Sequence, residues 1–473
     1  MIDNRLQSLI KQLTRLSSTF DNMRCSRNFI RDLPKADIHV HLPGTISPTT
    51  AWELGVRNGL IKWEKTQWEA KPLADKNPHR YYSEIFQNFE GIRYDQDPDA
   101  SSLKYAIINR DFSGFDRIMA TVQGHRYPPG GIQNESDLWL VLQKYLEQCK
   151  HDNIIYTEVQ QNIRMAYALY PHLEQQEARL RLYDVLFRAS EFFLSQGVVL
   201  KFLNCFNKTG ASNLQKTTQQ RSKDATLWLN EASRHFPNLF VGLQSAGSEN
   251  CPEAAPENLI SGYHLAYENG FGCEAHAGEG TGFLYLNRTL KNLPVQRIAH
   301  GFQAIEHLPT ICEILEKDVT LVMAPIINLI LGASVHQYSG ESKISKTMID
   351  RVDDHPFFSL FRQHKIRIAL SSDNPQMGGL SLANTMLLLA GFPIDENIFI
   401  PVEPANAAPI TVRELIQLNT EAIVSAFIDI ETKVELLGRI LQYLLAFQDT
   451  GVGMFSKENL SKQVLFSQSS SSL

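Results

Sequence analysis

Two histidines separated by one residue, His39 and His41 in the run KADIHVHLPG, are the first residues of this chain with the types and spacing for chemistry. On a strand, residues two apart face the same way and lie roughly 6–7 Å apart. Two imidazoles so placed can converge on one metal ion, although a lone HxH pair fits surface or core histidines as well. Three more polar groups share that local setting. His276 ends GCEAH and is followed by Ala-Gly-Glu279; His300 ends RIAH before Gly301; Asp373 ends IRIALSSD before Asn374 and Pro375. Imidazole nitrogens with one carboxylate suit zinc. No CxxC pair competes for it, because the six cysteines lie far apart. On this reading His39, His41, His276 and Asp373 hold one Zn²⁺ and leave a position open for water, whose pKa the metal can bring down to about 7. Glu279 is placed to donate a proton, though an acid at a helix N-terminus, held by the helix dipole, has the same spacing. His300 is either a non-ligand partner that orients the attacking oxygen or a buried histidine bonded to a backbone carbonyl.

These groups need elements that bring them together. Eight runs read as strands: ADIHVHL (36–42), IIYTEV (154–159), VVLKFLNC (198–205), LFVGL (239–243), GCEAH (272–276), RIAH (297–300), VTLVM (319–323) and IRIALS (366–371). Stretches with helical periodicity separate most of them, 173–196 and 308–317 among them. Strict alternation predicts parallel pairing and an α/β fold, a (β/α)8 TIM barrel. Catalytic groups gather at the C-terminal ends of barrel strands, where all four chemical segments fall. The runner-up, an open doubly wound sheet, would want a glycine-rich phosphate loop after the first strand, and HLPGTISP is not one. The expected domain plan is an N-terminal helical extension (1–30), a metal-dependent barrel domain (31–450) with a helical insertion or lid at 44–153, and a partly disordered tail (451–473). Within the insertion WELGVRNGL, YYSEIFQNF and FSGFDRIMATVQ read as helices and YPPGG (127–131) as a turn.

Composition bounds the function classes. With 43% hydrophobic and 20% charged residues, the chain is of ordinary globular type, and its net charge of −6 argues against a nucleic acid or an anionic membrane as partner. Sparse cysteines fit reduced thiols. MIDNRLQSLIKQLTRL lacks the continuous apolar stretch of a signal peptide, and no run of 18 apolar residues occurs. A cytoplasmic location is the expectation. Nothing in the sequence fixes an oligomeric state.

The motif combination resembles the adenosine deaminase family of amidohydrolases. KADIHVHLPG is similar to the family's HxHLxG segment, CEAHAGEG to HAGE, RIAHG to the His-Gly segment and ALSSDNP to SxDDP. VGLQSAGSE (241–249) and APIIN (324–328) add weaker likenesses to VGxDLxGxE and CPxSN. The resemblance spans roughly residues 35–390 and implies a purine nucleoside or derivative as small-molecule substrate. It further implies zinc ligation by His39, His41, His276 and Asp373. Glu279 would protonate a purine ring nitrogen, His300 would position hydroxide, Asp373 would relay a proton to leaving ammonia, and Gly247 would offer its amide to the ring. The cytidine-deaminase signature, HxE with PCxxC, is absent. Pro43 stands where the family often has an acid that accepts the ribose 5′-hydroxyl, so the resemblance points to a modified or phosphorylated adenosine, or to the bare base. Asn374 replaces the second acid of SxDDP, and its neutral NH₂ could still donate to a ring nitrogen. Gln160 in TEVQQN and Gln244 in VGLQS replace an arginine and an acid, and read as scaffold changes. Arg110, Arg117 and Arg126 are the candidates in the insertion for binding a phosphate.

Overall fold

The structure is a computed structural model, and it describes residues 3–59, 61–63, 68–70, 85–87, 104–105, 112–123, 131–209, 216–377, 379–394 and 402–450. Its centre is one eight-stranded sheet of parallel neighbours, numbered in chain order: β1 Lys35–His41, β2 Ile154–Gln161, β3 Val199–Asn207, β4 Phe240–Ala246, β5 Gly272–Ala277, β6 Arg297–His300, β7 Thr320–Met323 and β8 Ile368–Leu370. Each strand pairs with its successor. The first and last meet through a parallel bridge between Val40 and Asp373, with His41 N donating to Asp373 O at 2.9 Å and Asp373 N to His39 O at 3.1 Å. The sheet therefore closes into the (β/α)8 barrel that the alternation predicts.

Closure has a polar clasp. Asp37 points inward from β1 and accepts from Ser371 Oγ (2.5 Å), Ser372 Oγ (2.5 Å) and Ser372 N (3.2 Å) just beyond β8. Both faces of the strands are covered, so they are buried along almost their whole length, as parallel strands require. Helices return the chain between strands, among them Glu135–His151, Gln175–Ser195, Thr218–His235, Phe283–Asn292 and Leu308–Glu316.

The N-terminal extension forms a helix at Asn4–Ser18 that buries Leu6, Leu13 and Leu16. It rests on the C-terminal helices Val412–Val424 and Ile430–Thr450, and Phe20 meets Phe447 at 5.9 Å between ring centroids. Within the insertion, Pro48–Arg57 and Phe112–Gln123 are helical as expected. The segment YYSEIFQNF departs from its helical reading. Its described residues include a strand, Phe86–Gln87, paired antiparallel to Lys104–Tyr105. Arg110, Arg126, residues 127–130 of YPPGG and the tail 451–473 lie outside the described residues, as does the side chain of Arg117. Between β7 and β8 the chain adds an antiparallel hairpin, Ser334–Ser339 with Ser342–Met348. None of the six cysteines is in a disulfide. Among the described residues no helix is long and apolar enough to cross a membrane.

Candidate active site

The C-terminal ends of β1, β5, β6 and β8 converge. One ligand atom each from His39, His41, His276 and Asp373 can be chosen so that all four lie within 4.8 Å of one another. His41 Nε2 is 3.3 Å from Asp373 Oδ1 and 3.4 Å from His276 Nε2, and His39 Nε2 is 3.7 Å from the same carboxylate oxygen. Residues 39 and 41 share the inward face of β1 because strand side chains alternate. Asp373 follows β8 with φ +59° and His300 ends β6 with φ +64°, both in the left-handed region that side-chain-bearing residues seldom adopt. Such backbone persists only where surrounding structure enforces it, and it clusters at functional sites.

Burial pushes the His39, His41 and His276 imidazoles well below the ordinary histidine range. They are neutral at pH 7, the state in which a ring nitrogen can ligate. Three nitrogens and one carboxylate oxygen in this arrangement fit a divalent transition metal, and zinc by donor type.

Glu279 stands beside this set, its Oε1 3.5 Å from His300 Nε2. Burial raises the Glu279 carboxyl above the usual carboxylate range and Glu249 adds to it, while His300 and Lys208 oppose. The Glu279 turn is tied down from the turn after β4: Glu249 accepts from the backbone N–H groups of Glu279 (3.3 Å), Gly280 (3.4 Å) and Thr281 (3.1 Å). Lys208, fully buried, donates to the His276 carbonyl at 2.8 Å. Asn328 places its amide nitrogen 3.0 Å from His300 Nδ1.

A cavity of about 180 Å³ opens onto these groups. Gly247 and Asn374 both line it, as does Pro43. Gly247 has φ +103°, and a Cβ there would sit 2.4 Å from Asn207 Oδ1. Asn374 donates its side-chain N–H to Asp373 Oδ1 at 2.7 Å, so in this structure the amide serves the neighbouring acid. His41, Gly247, His276, Glu279, His300, Asp373 and Asn374 thus line one cavity, with His39 beside it, whereas the candidate phosphate-binding side chains of Arg110, Arg117 and Arg126 fall outside the described residues.

The reading of Gln160 and Gln244 as scaffold changes does not hold. Both side chains point inward onto imidazoles, Gln160 Nε2 lying 2.6 Å from His39 Nδ1, and Gln244 meeting His276 Nδ1. A third contact had no counterpart in the sequence reading: Glu274 Oε1 is 2.6 Å from His39 Nδ1. Its signal was present in GCEAH, where an acid two residues before His276 must share that histidine's inward face.

The profile of the adenosine deaminase family matches residues 127–443, most of the chain. The chain belongs to the adenosine deaminase family. It is accordingly a hydrolase that acts on C–N bonds in cyclic amidines. Curated relatives in this family include an adenine deaminase of Hahella chejuensis, 24% identical over 88% of this chain and 99% of its own length. An adenosine deaminase of Clostridium acetobutylicum is 23% identical over 76% of this chain and 87% of its own. Among solved structures, an amidohydrolase from Burkholderia ambifaria with bound zinc superposes with a TM-score of 0.63 at 16% identity, covering 91% of this chain and 96% of that one. That likeness is one of fold.

Proposed function

We propose that the protein deaminates an aminopurine hydrolytically with zinc, exchanging the ring amine for oxygen and releasing ammonia. The observation that carries this reading is the convergence of His39, His41, His276 and Asp373 around one point, with Glu279 and His300 beside it. These four side chains would hold one zinc ion per chain. Bound there, zinc supplies a Lewis acid that brings the pKa of a coordinated water near 7.

The chain's own residues supply the remainder. Glu279, whose carboxyl burial raises above the usual carboxylate range, gives its proton to a ring nitrogen and makes the adjacent amine-bearing carbon electrophilic. His300, held by Asn328, orients the attacking oxygen and shields its charge. Asp373 carries a proton toward the departing amine. The backbone N–H of Gly247 and the Asn374 side chain border the cavity where the purine ring must lie. The helix Phe112–Gln123 contributes Phe115, Met119 and Gln123 to the wall and acts as a lid.

The cavity supports a small substrate. At about 180 Å³ it is below the ~300–1,000 Å³ of drug-sized pockets. That size, with the likeness to adenine deaminases, favours a free base of the adenine type over AMP. Adenosine or an adenosine derivative, giving an inosine-type product, is the second reading, favoured by the likeness to the Clostridium adenosine deaminase. Ammonia release from adenine, adenosine, a 5′-modified adenosine and AMP by zinc-loaded protein tests both. Adenine as best substrate is expected; AMP turned over fastest overturns the substrate reading, and no ammonia from any of the four overturns the deaminase reading.

A further inference from the structure

Behind the metal-binding face, the barrel interior holds a chain of ionisable side chains. Glu274 projects inward from β5 and is fully buried, with Oε1 2.6 Å from His39 Nδ1 and Oε2 2.7 Å from Arg297 Nε. Arg297, on β6 and equally buried, extends Nη2 to Glu158 Oε2 at 2.6 Å and lies 3.7 Å over the Phe427 ring. The second Glu158 oxygen accepts from Tyr156 Oη (2.6 Å) and Phe427 N (2.8 Å).

From this arrangement we infer that Glu274 is a positioning residue for metal retention, fixing the His39 imidazole through Nδ1 while Arg297 holds the carboxylate in place. The inference rests on the reading of His39 as a metal ligand. An imidazole between a carboxylate and a metal must donate Nδ1–H to the acid, which leaves the Nε2 lone pair free. Nε2 is the His39 nitrogen that faces Asp373. The anionic acceptor also strengthens the ring as a donor. His276 has only neutral partners at the same position, the Ser245 carbonyl at 3.1 Å and the Gln244 amide.

Arg297 makes the placement rigid. A buried carboxylate needs partners, and one with a single contact could turn away from His39. Glu274 is gripped from its other oxygen by a guanidinium that is itself stacked and paired. Gln160 Nε2, 2.6 Å from His39 Nδ1, is also 3.3 Å from Glu274 Oε1, so with Nδ1–H donated to the acid the Gln160 N–H turns to Glu274 as well and not to the ring.

Glu274→Gln preserves the shape and a carbonyl acceptor but removes the charge. Zinc affinity measured by chelator competition, with the release rate and the absorption spectrum of cobalt-substituted protein, reads out the ligand environment independently of turnover. The expected result is zinc bound about 10–100-fold more weakly, faster release and a shifted cobalt spectrum, while Glu274→Asp recovers part of the affinity. If Glu274→Gln does not fold, Glu274→Asp carries the test, with intermediate affinity expected. Wild-type affinity and an unchanged cobalt spectrum in whichever variant folds would overturn the inference. Failure of the underlying reading looks different: the unmodified protein, or its His41→Ala variant, would then show no zinc dependence on these side chains.

Discussion

Glu279 had two readings on spacing alone, proton donor or helix-terminal acid, and its surroundings favour the first. The helix that follows does not begin until Phe283, and the Glu279 carboxylate lies 3.5 Å from His300 at the cavity. Its raised pKa keeps the acid form at higher pH than an ordinary glutamate. An essential acid is lost as pH rises, so kcat/KM should fall on the alkaline side of that raised pKa. Glu279→Gln should lose about 10²–10⁴-fold in rate, retain zinc, and lose that alkaline limb; near-normal turnover by the variant would remove Glu279 from the mechanism. At this scale the sequence showed what lies at strand ends, where a polar residue interrupts an apolar run. It hid the residues that touch those groups from inside strands. Gln160, Gln244 and Glu274 sit among barrel residues with no local feature to mark them except alternation with a known inward neighbour.

At the level of elements, all eight strands were legible, since each is a short apolar run between turns, and most differ from expectation by one to three residues at either end. The hairpin after β7 was not. Its second strand is exposed for nearly all its length, so no buried face imposes an alternating pattern. YYSEIFQNF misled for the opposite reason: aromatic residues suit a strand as well as a helix, and Phe86 stacks near Tyr105 across a two-stranded pairing. Two element-scale predictions follow from how the barrel is shut. Gly242 and Gly272 are register partners on β4 and β5, and together they make room for the Phe427 ring, which would lie 2.1 Å from a Cβ at position 272. Gly272→Ala should therefore force Phe427 off Arg297 and destabilise the fold by about 1–3 kcal/mol, read as a lower urea midpoint; an unchanged midpoint would show that the ring is not confined there. At the β1–β8 clasp, Asp37→Ala strands two serine hydroxyls that the carboxylate now accepts. A loss of about 1–3 kcal/mol is expected, with weaker zinc retention because Asp373 directly follows the clasp.

For the molecule as a whole, the barrel mouth buries an acid with no cation in contact with it among the described residues. Burial raises the Asp373 carboxyl well above the ordinary carboxylate range, the three imidazoles beside it are pushed well below the histidine range, and Arg297 is taken up by Glu158 and Glu274. Charge sealed in a low-dielectric interior is costly unless paired. A divalent cation at the His39–Asp373 set supplies the missing positive charge, so binding it should stabilise the entire fold. A ligand bound only by the folded state adds RT ln(1 + [L]/Kd), about 2.7 kcal/mol at a hundredfold excess over Kd. The melting temperature should therefore climb with the logarithm of free zinc and drop on chelation, and His41→Ala should flatten that dependence. Stripped and zinc-loaded protein melting together would mean that the charge is balanced in some other way, and that the four side chains at the barrel mouth do not bind the ion tightly enough to matter to the fold. The prediction separates metal from catalysis, because a thermal shift needs no substrate. It also depends on the whole chain, since the ligands come from the first, fifth and eighth strands and can meet only when the barrel has closed.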